Sequence, residues 1–260
     1  LHVFTGEERG MIRYHGGPIT PEPAALAAWR GAHAMISYAN PGQVELAFAV
    51  AESVALDNGA WPIFAAGKGS INVPAYVQWV RTWYRHPAFD WCLIPDVIDG
   101  NEDDNNRLIE EWEAYHLPLE SCVPVWHMHE SMKRLLSLMV VYPRIAIGSS
   151  GEYVRIGTTK WWGRIAEAME ILCDHDGRPT VKLHGLRQMD PEVFSIVPYA
   201  SVDSTNVARN IGIDSAWTGS YVPTRKETRA MLLRDNIGNH PSAARWPGIG
   251  GIPRNLELYG

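Results

Sequence analysis

The chain has 260 residues, 46% of them hydrophobic, which is enough to bury a sizeable core and close to the length of one α/β barrel. Its formal net charge of −6 excludes a global basic signature, so nucleic-acid binding would have to rest on a local patch. Three cysteines, odd in number and widely spaced (Cys92, Cys122 and Cys173), exclude a disulfide framework and a paired-cysteine zinc pattern, and point to a reducing, cytoplasmic setting.

No apolar stretch reaches the ~18 residues of a membrane helix and no charged-then-apolar leader opens the sequence, so no membrane is expected. Apolar runs alternate with helix-like segments through most of the length. The run 34–38 precedes a helix beginning near Pro41, and the run ending at Asp57 precedes a Gly-rich loop and a helix over 74–85. The run ending at Asp96 leads through an acidic stretch, 99–104, that reads as a solvated helix start, into a helix over 107–116. Strand 121–126 leads to helix 131–141, and strand 144–147 passes through a glycine loop to helix 161–173. Strand 180–183 is followed by His184-Gly185-Leu186-Arg187, strand 199–202 by helix 207–211, and a last strand near 214–218 by helix 223–236. Eight strand candidates in βα alternation predict a single-domain (β/α)8 TIM barrel; an open doubly wound sheet would show the same alternation. Polar residues spread evenly over the strand ends favour the barrel. The tail, 238–260, is rich in Gly and Pro and reads as irregular.

Three aspartates close β-like runs: Asp57 in Leu56-Asp57-Asn58-Gly59, Asp96 in Ile94-Pro95-Asp96-Val97, and Asp203 in Val202-Asp203-Ser204-Thr205. On parallel strands their carboxylates would gather at one edge, where they can act as nucleophile, general acid/base and base-edge acceptor. Singly, each also reads as a turn or helix cap. The loop Gly148-Ser149-Ser150-Gly151-Glu152 lets backbone N–H groups approach a ligand and offers Glu152 as an acceptor, or is simply a tight βα turn. His127 and His129 form an HxH pair after one strand and His184 closes another. With Asp203 they would make a metal-dependent hydrolase; otherwise His127 and His184 are pocket donors. From Arg225 to Arg254 six cations (Arg225, Lys226, Arg229, Arg234, Arg245, Arg254) face only Glu227 and Asp235, a candidate phosphate-contact region or a solvated helix face.

In order along the chain, these motifs resemble the tRNA-guanine transglycosylase superfamily. Leu56-Asp57-Asn58-Gly59-Ala60 is similar to that family's Asp-Ser-Gly-Gly block, and Ile94-Pro95-Asp96-Val97 to its base-recognising aspartate segment. Val125-Trp126-His127 falls at its Val-Gln-Gly strand end, and Gly148 to Glu152 at its Gly-Gly…Gly-Glu loop. Lys182-Leu183-His184-Gly185 resembles its Leu-Met-Gly segment, and Ser201-Val202-Asp203-Ser204 its nucleophile region. The likeness covers roughly residues 50–210. The family's Cys-x-Cys-x2-Cys…His zinc site has no counterpart, the chain is shorter, and Trp126-His127 replaces the family's Gln. In these respects it resembles the zinc-less branch, phage enzymes included, that inserts 7-deazaguanines into DNA. The resemblance implies a base exchange with Asp203 as nucleophile and Asp57 as general acid/base. It implies Asp96, His127, Gly148, Ser149, Glu152 and His184 around the base, and Arg225, Lys226 and Arg229 on phosphates. The implied partners are DNA, with tRNA less favoured, and a 7-deazaguanine base, with no cofactor and no metal, in the cytoplasm or that of a phage host. A tRNA-directed exchange enzyme and a non-catalytic nucleic-acid binder are compatible with the same residues.

Overall fold

A computed structural model describes residues 10–67, 70–214 and 222–252. The expected strand at 214–218 and Arg254 fall wholly or mostly outside these. The chain divides into two compact units, one holding Ile94–Val202 with the described parts of Leu1–Ile12 and Pro241–Gly260, the other Arg13–Leu93 with Asp203–His240.

In the unit built on Arg13–Leu93, four parallel strands follow in chain order: β1 (Ile12–Gly16), β2 (His33–Ser37), β3 (Ser53–Asp57) and β4 (Phe89–Leu93). Val54, Ala55 and Leu56 are all fully buried, because a parallel strand covered on both faces is apolar throughout rather than alternating. Between strands run the helices Glu22–Trp29, Val44–Val50, Ala60–Ala65 and Val73–Trp83. The last begins where Asn72 caps it, its side chain accepting from the Ala75 N–H at 3.1 Å, with Pro74 in the first turn. Helix Lys226–Gly238 packs on Glu22–Trp29, with Arg234 donating to the carbonyls of Ala27 and Arg30.

The other unit carries β5 (Cys122–Val123), β6 (Val125–His127), β7 (Arg144–Gly148), β8 (Lys182–Gly185) and the start of β9 (Ser201–Ser204). The paired strands β6 to β9 are again parallel and in chain order. Pro124 separates β5 from β6, having no N–H for the ladder while its carbonyl still accepts from Ala146 at 2.9 Å. Helix Glu102–Glu113 opens with a reciprocal box: Asn101 accepts from the Asp104 N–H and Asp104 from the Asn101 N–H. Helix Thr159–Leu172 buries Trp161, Ile165, Ala168, Met169 and Leu172, a three-and-four spacing that lays one stripe on the core. Strands in chain order, all parallel and alternating with helices, make this an α/β fold of the (β/α)8-barrel type.

The differences from expectation are local. β1 and helix Glu22–Trp29 do not stand out in the sequence, since Arg13 and His15 interrupt the only apolar run there. β4 ends at Leu93, leaving Asp96 in the following loop beyond Pro95. β8 and β9 run two residues further than expected, so His184 and Asp203 lie within strands. The helix expected at 107–116 starts at Glu102, where the box supplies a cap. The described part of the tail holds to the core through Ala243 N–H to the Phe194 carbonyl and Trp246 N–H to the Gly177 carbonyl.

Candidate functional site

In the unit built on Ile94–Val202, register places polar residues at the C-terminal ends of neighbouring strands. His127 of β6 lies opposite Gly148 of β7, and His184 of β8 opposite Ala146 and Ser201. His127 Nε2 is 2.9 Å from Asp96 Oδ2, with the two side chains only 3% and 9% exposed. The separation is that of a charge-assisted hydrogen bond, but Nε2 is not aligned with a formed one. A Cβ at Gly148 would stand 3.3 Å from His127 Nδ1 and from Val125 Cγ1, so glycine leaves the imidazole its room. His184 is wholly buried, its Nδ1 2.9 Å from Ser201 Oγ.

A buried brace absent from the expected set holds this pair. The Glu130 carboxylate accepts from the His127 backbone N–H at 2.8 Å, from Asn105 Nδ2 at 2.9 Å and from Arg134. Asn105 clasps the backbone just beyond Asp96, accepting from the Val97 N–H at 2.8 Å and donating to the Val97 carbonyl at 3.2 Å. Arg134 also donates to the Val125 carbonyl of β6 at 2.9 Å. The loop carrying Asp96 and the strand carrying His127 are thus tied through one carboxylate. Glu130 followed four residues later by Arg134 is the signal the sequence offers, but it reads equally as an exposed helical ion pair.

His129 does other work. Its Nε2 is 3.1 Å from the Gly100 carbonyl, which can only accept, so Nε2 donates there, and Nδ1 lies 2.7 Å from Ser150 Oγ. Both ring nitrogens are therefore engaged between loops, which removes His129 from the hydrolase ligand set. Among the described residues, no group of three or more His, Cys, Asp or Glu side chains is arranged to hold a metal. Ser149 Oγ accepts from the buried Trp161 indole at 2.9 Å, and Glu152 lies at the surface 2.9 Å from Lys160.

In the other unit, Asp57 closes β3 opposite Ser37, and its carbonyl accepts from the Tyr38 N–H. Asp203 sits in β9 and is buried. Neighbours make the turn-closing bonds the sequence offered these two: Asn58 accepts from the Ala60 N–H at 2.8 Å, and Ser204 from the Asn206 N–H at 3.0 Å. Arg225 and Lys226 are exposed at the start of helix Lys226–Gly238. Arg229 is instead 12% exposed, bound to the carbonyls of Pro223 and Ile211 and to Asp214 at 2.8 Å.

The class so defined is a (β/α)8-barrel-type protein in which the imidazole that closes β6 lies beside a carboxylate from the loop after β4. No protein-family model matches the chain, and no curated protein matches it. Among solved structures, three variants of the tryptophan synthase alpha-subunit from the hyperthermophile Pyrococcus furiosus resemble it, with TM-scores of 0.49, 0.48 and 0.46. Identity is 11–12%, over 88% of this chain and 96% of each of those. A likeness that faint says nothing about chemistry. Among the described residues, no helix is long and apolar enough to cross a membrane.

Proposed function

We propose that the protein is a base-exchange glycosyltransferase that replaces guanine in DNA with a 7-deazaguanine. Asp203 attacks C1′ as the guanine–C1′ bond breaks, forming a covalent glycosyl ester. The incoming base then displaces the carboxylate, and two inversions retain configuration. Asp57 protonates the departing guanine and takes the proton of the incoming base. Asp96 accepts from the N1–H and N2–H donors of the base, with His127, Gly148 and Ser149 toward its O6 edge. A base inside a duplex is out of reach, so the target nucleotide is flipped or single-stranded.

The supporting observation is the buried Asp96–His127 pair, off hydrogen-bond alignment and braced by Glu130. A carboxylate held at a fixed place in a buried site suits the planar N1–H and N2–H edge of a base, and the brace fixes the backbone at Val97 and His127. Preference for DNA rests on the resemblance to the zinc-less branch: the three cysteines are widely spaced and cannot form the zinc site of the tRNA enzymes.

The test is incubation with DNA, tRNA and free 7-deazaguanine bases, followed by mass spectrometry of the nucleosides. We expect a new deoxynucleoside with the wild type. None is expected with Asp203→Asn, because an amide of the same shape cannot form the ester. Wild-type turnover by that variant would remove Asp203 from the nucleophile role, and preferential modification of tRNA would overturn the DNA assignment.

A further inference from the structure

The loops that follow β7 and β8 enclose a cleft of about 240 Å³, which none of the proposed reaction steps uses. That is below the roughly 300–1,000 Å³ of pockets that take drug-sized ligands, and suits a single small group. Its wall includes Arg155 and Thr158 from the first loop, Arg187, Asp190 and Glu192 from the second side, and Trp162.

Residues of that wall carry three kinds of donor. Arg155 and Arg187 line it from opposite loops, and each carries a guanidinium group. Thr158 caps the 14-residue helix Thr159–Leu172, accepting from the Trp161 N–H at 3.3 Å, so the unpaired first-turn N–H groups and the positive end of that helix lie at the cleft wall. Trp162 is 4% exposed, and its indole N–H has no hydrogen-bond partner among the described residues. A buried donor without an acceptor is costly to keep, and natural proteins rarely keep one without a use. Of the two acids, Asp190 is occupied in accepting from the Glu192 N–H at 3.0 Å, and Glu192 is exposed.

We propose that this cleft is an oxyanion site that takes a phosphate group. Resting on the exchange reaction proposed above, the occupant is a phosphodiester of the bound DNA strand. Guanidinium forks, helix N–H groups and an indole N–H are all donors, and together they suit a tetrahedral group with several acceptor oxygens. The exposed Glu192 carboxylate opposes such a ligand, so the two signs of charge at the rim should act in opposite directions.

The Trp162 indole N–H resonance, assigned by its absence from Trp162→Phe, reports the site in the whole chain. It is followed at constant ionic strength during titration with inorganic phosphate, with a nucleoside 5′-monophosphate, and with a single-stranded DNA oligonucleotide lacking terminal phosphates. We expect saturable shifts with phosphate and with the oligonucleotide. Half-saturation should rise at least tenfold in the double variant Arg155→Gln/Arg187→Gln and fall in Glu192→Gln. A resonance that moves with none of these ligands, or moves identically in the double variant, overturns the site. Shifts with the monophosphate but not the oligonucleotide overturn the phosphodiester assignment in favour of a phosphate monoester. Base exchange is scored separately by nucleoside mass spectrometry, so a silent Trp162 in an exchange-active protein refutes the cleft alone. A phosphate-responsive Trp162 in a protein that exchanges no base refutes the reaction alone.

Discussion

Glu130 and Arg134 are almost wholly removed from water, with side-chain exposures of 0% and 4%. Desolvating two ions is expensive, and the pair is tolerable only because every part of the carboxylate is used: the His127 N–H, Asn105 and Arg134 all donate to it. Removing one partner strands the other. Glu130→Ala should therefore cost about 3–5 kcal/mol in urea unfolding, the usual range for breaking a buried ion pair. Adding Arg134→Met should restore most of that loss, since the stranded charge goes with it. A loss below about 1 kcal/mol for the single variant would mean that water reaches the pair. The same brace fixes the backbone at Val97, just beyond Asp96, and at Val125 and His127 of β6, so its loss should disturb the placement of both Asp96 and His127.

The β3–turn–helix segment shows how the element end that carries Asp57, the proposed general acid/base, is built. Asp57 ends the strand, Asn58 closes the turn, and Gly59 takes φ = 81° before helix Ala60–Ala65 begins. A Cβ at Gly59 would meet the Ala39 backbone nitrogen at 2.9 Å, and backbone cannot swing aside as a long side chain does. Gly67 has a similar φ of 61°, but among the described residues nothing lies within 4 Å of the added carbon. Gly67→Ala should cost about 1–2 kcal/mol, the left-handed penalty alone. Gly59→Ala should cost more, and should impair whatever Asp57 does by moving the strand end. Equal losses of thermal stability in the two variants would show that the Ala39 contact relaxes freely.

At the scale of the whole molecule, one imidazole should lower stability in acid. His15 is 3% exposed, and burial, reinforced by Arg234, His33 and Arg13 and opposed by Asp235, pushes its pKa down from 6.5 to about 4. Unfolded, the ring takes a proton near pH 6.5; folded, it resists until near pH 4. Its contribution to stability is therefore intact above pH 6.5 and is lost as pH falls from 6.5 to 4, where the loss reaches about 3 kcal/mol at 1.36 kcal/mol per unit. His15→Gln should flatten the wild-type decline over that window by about 2–3 kcal/mol, as urea titrations at about pH 7 and pH 4.5 would measure. A variant that falls as steeply as the wild type would place the acid sensitivity elsewhere.

The βα alternation was legible in the chain because parallel strands covered on both faces must be apolar and their helices must carry three-and-four stripes; β2, β3, β7 and helix Met132–Val141 emerge within two residues of their expected bounds. Asp57 was legible as a strand end for the same reason, since a polar residue that closes an apolar run stands out locally, whereas Asp96 lies beyond β4 in the loop and Asp203 within β9. Side-chain partners were not. Nothing in the order of residues distinguishes Arg229, spent on Asp214 and two carbonyls, from the exposed Arg225 and Lys226. Nor does it separate His129, spanning Gly100 and Ser150, from His127, beside Asp96. The Glu130 brace joins residues 25 positions apart, and the cleft at Trp162 joins two loops. Sequence by itself determined periodicity, because that is written in neighbours three or four apart. Only tertiary structure decided which polar groups bind one another, because those partners meet through packing rather than through chain distance.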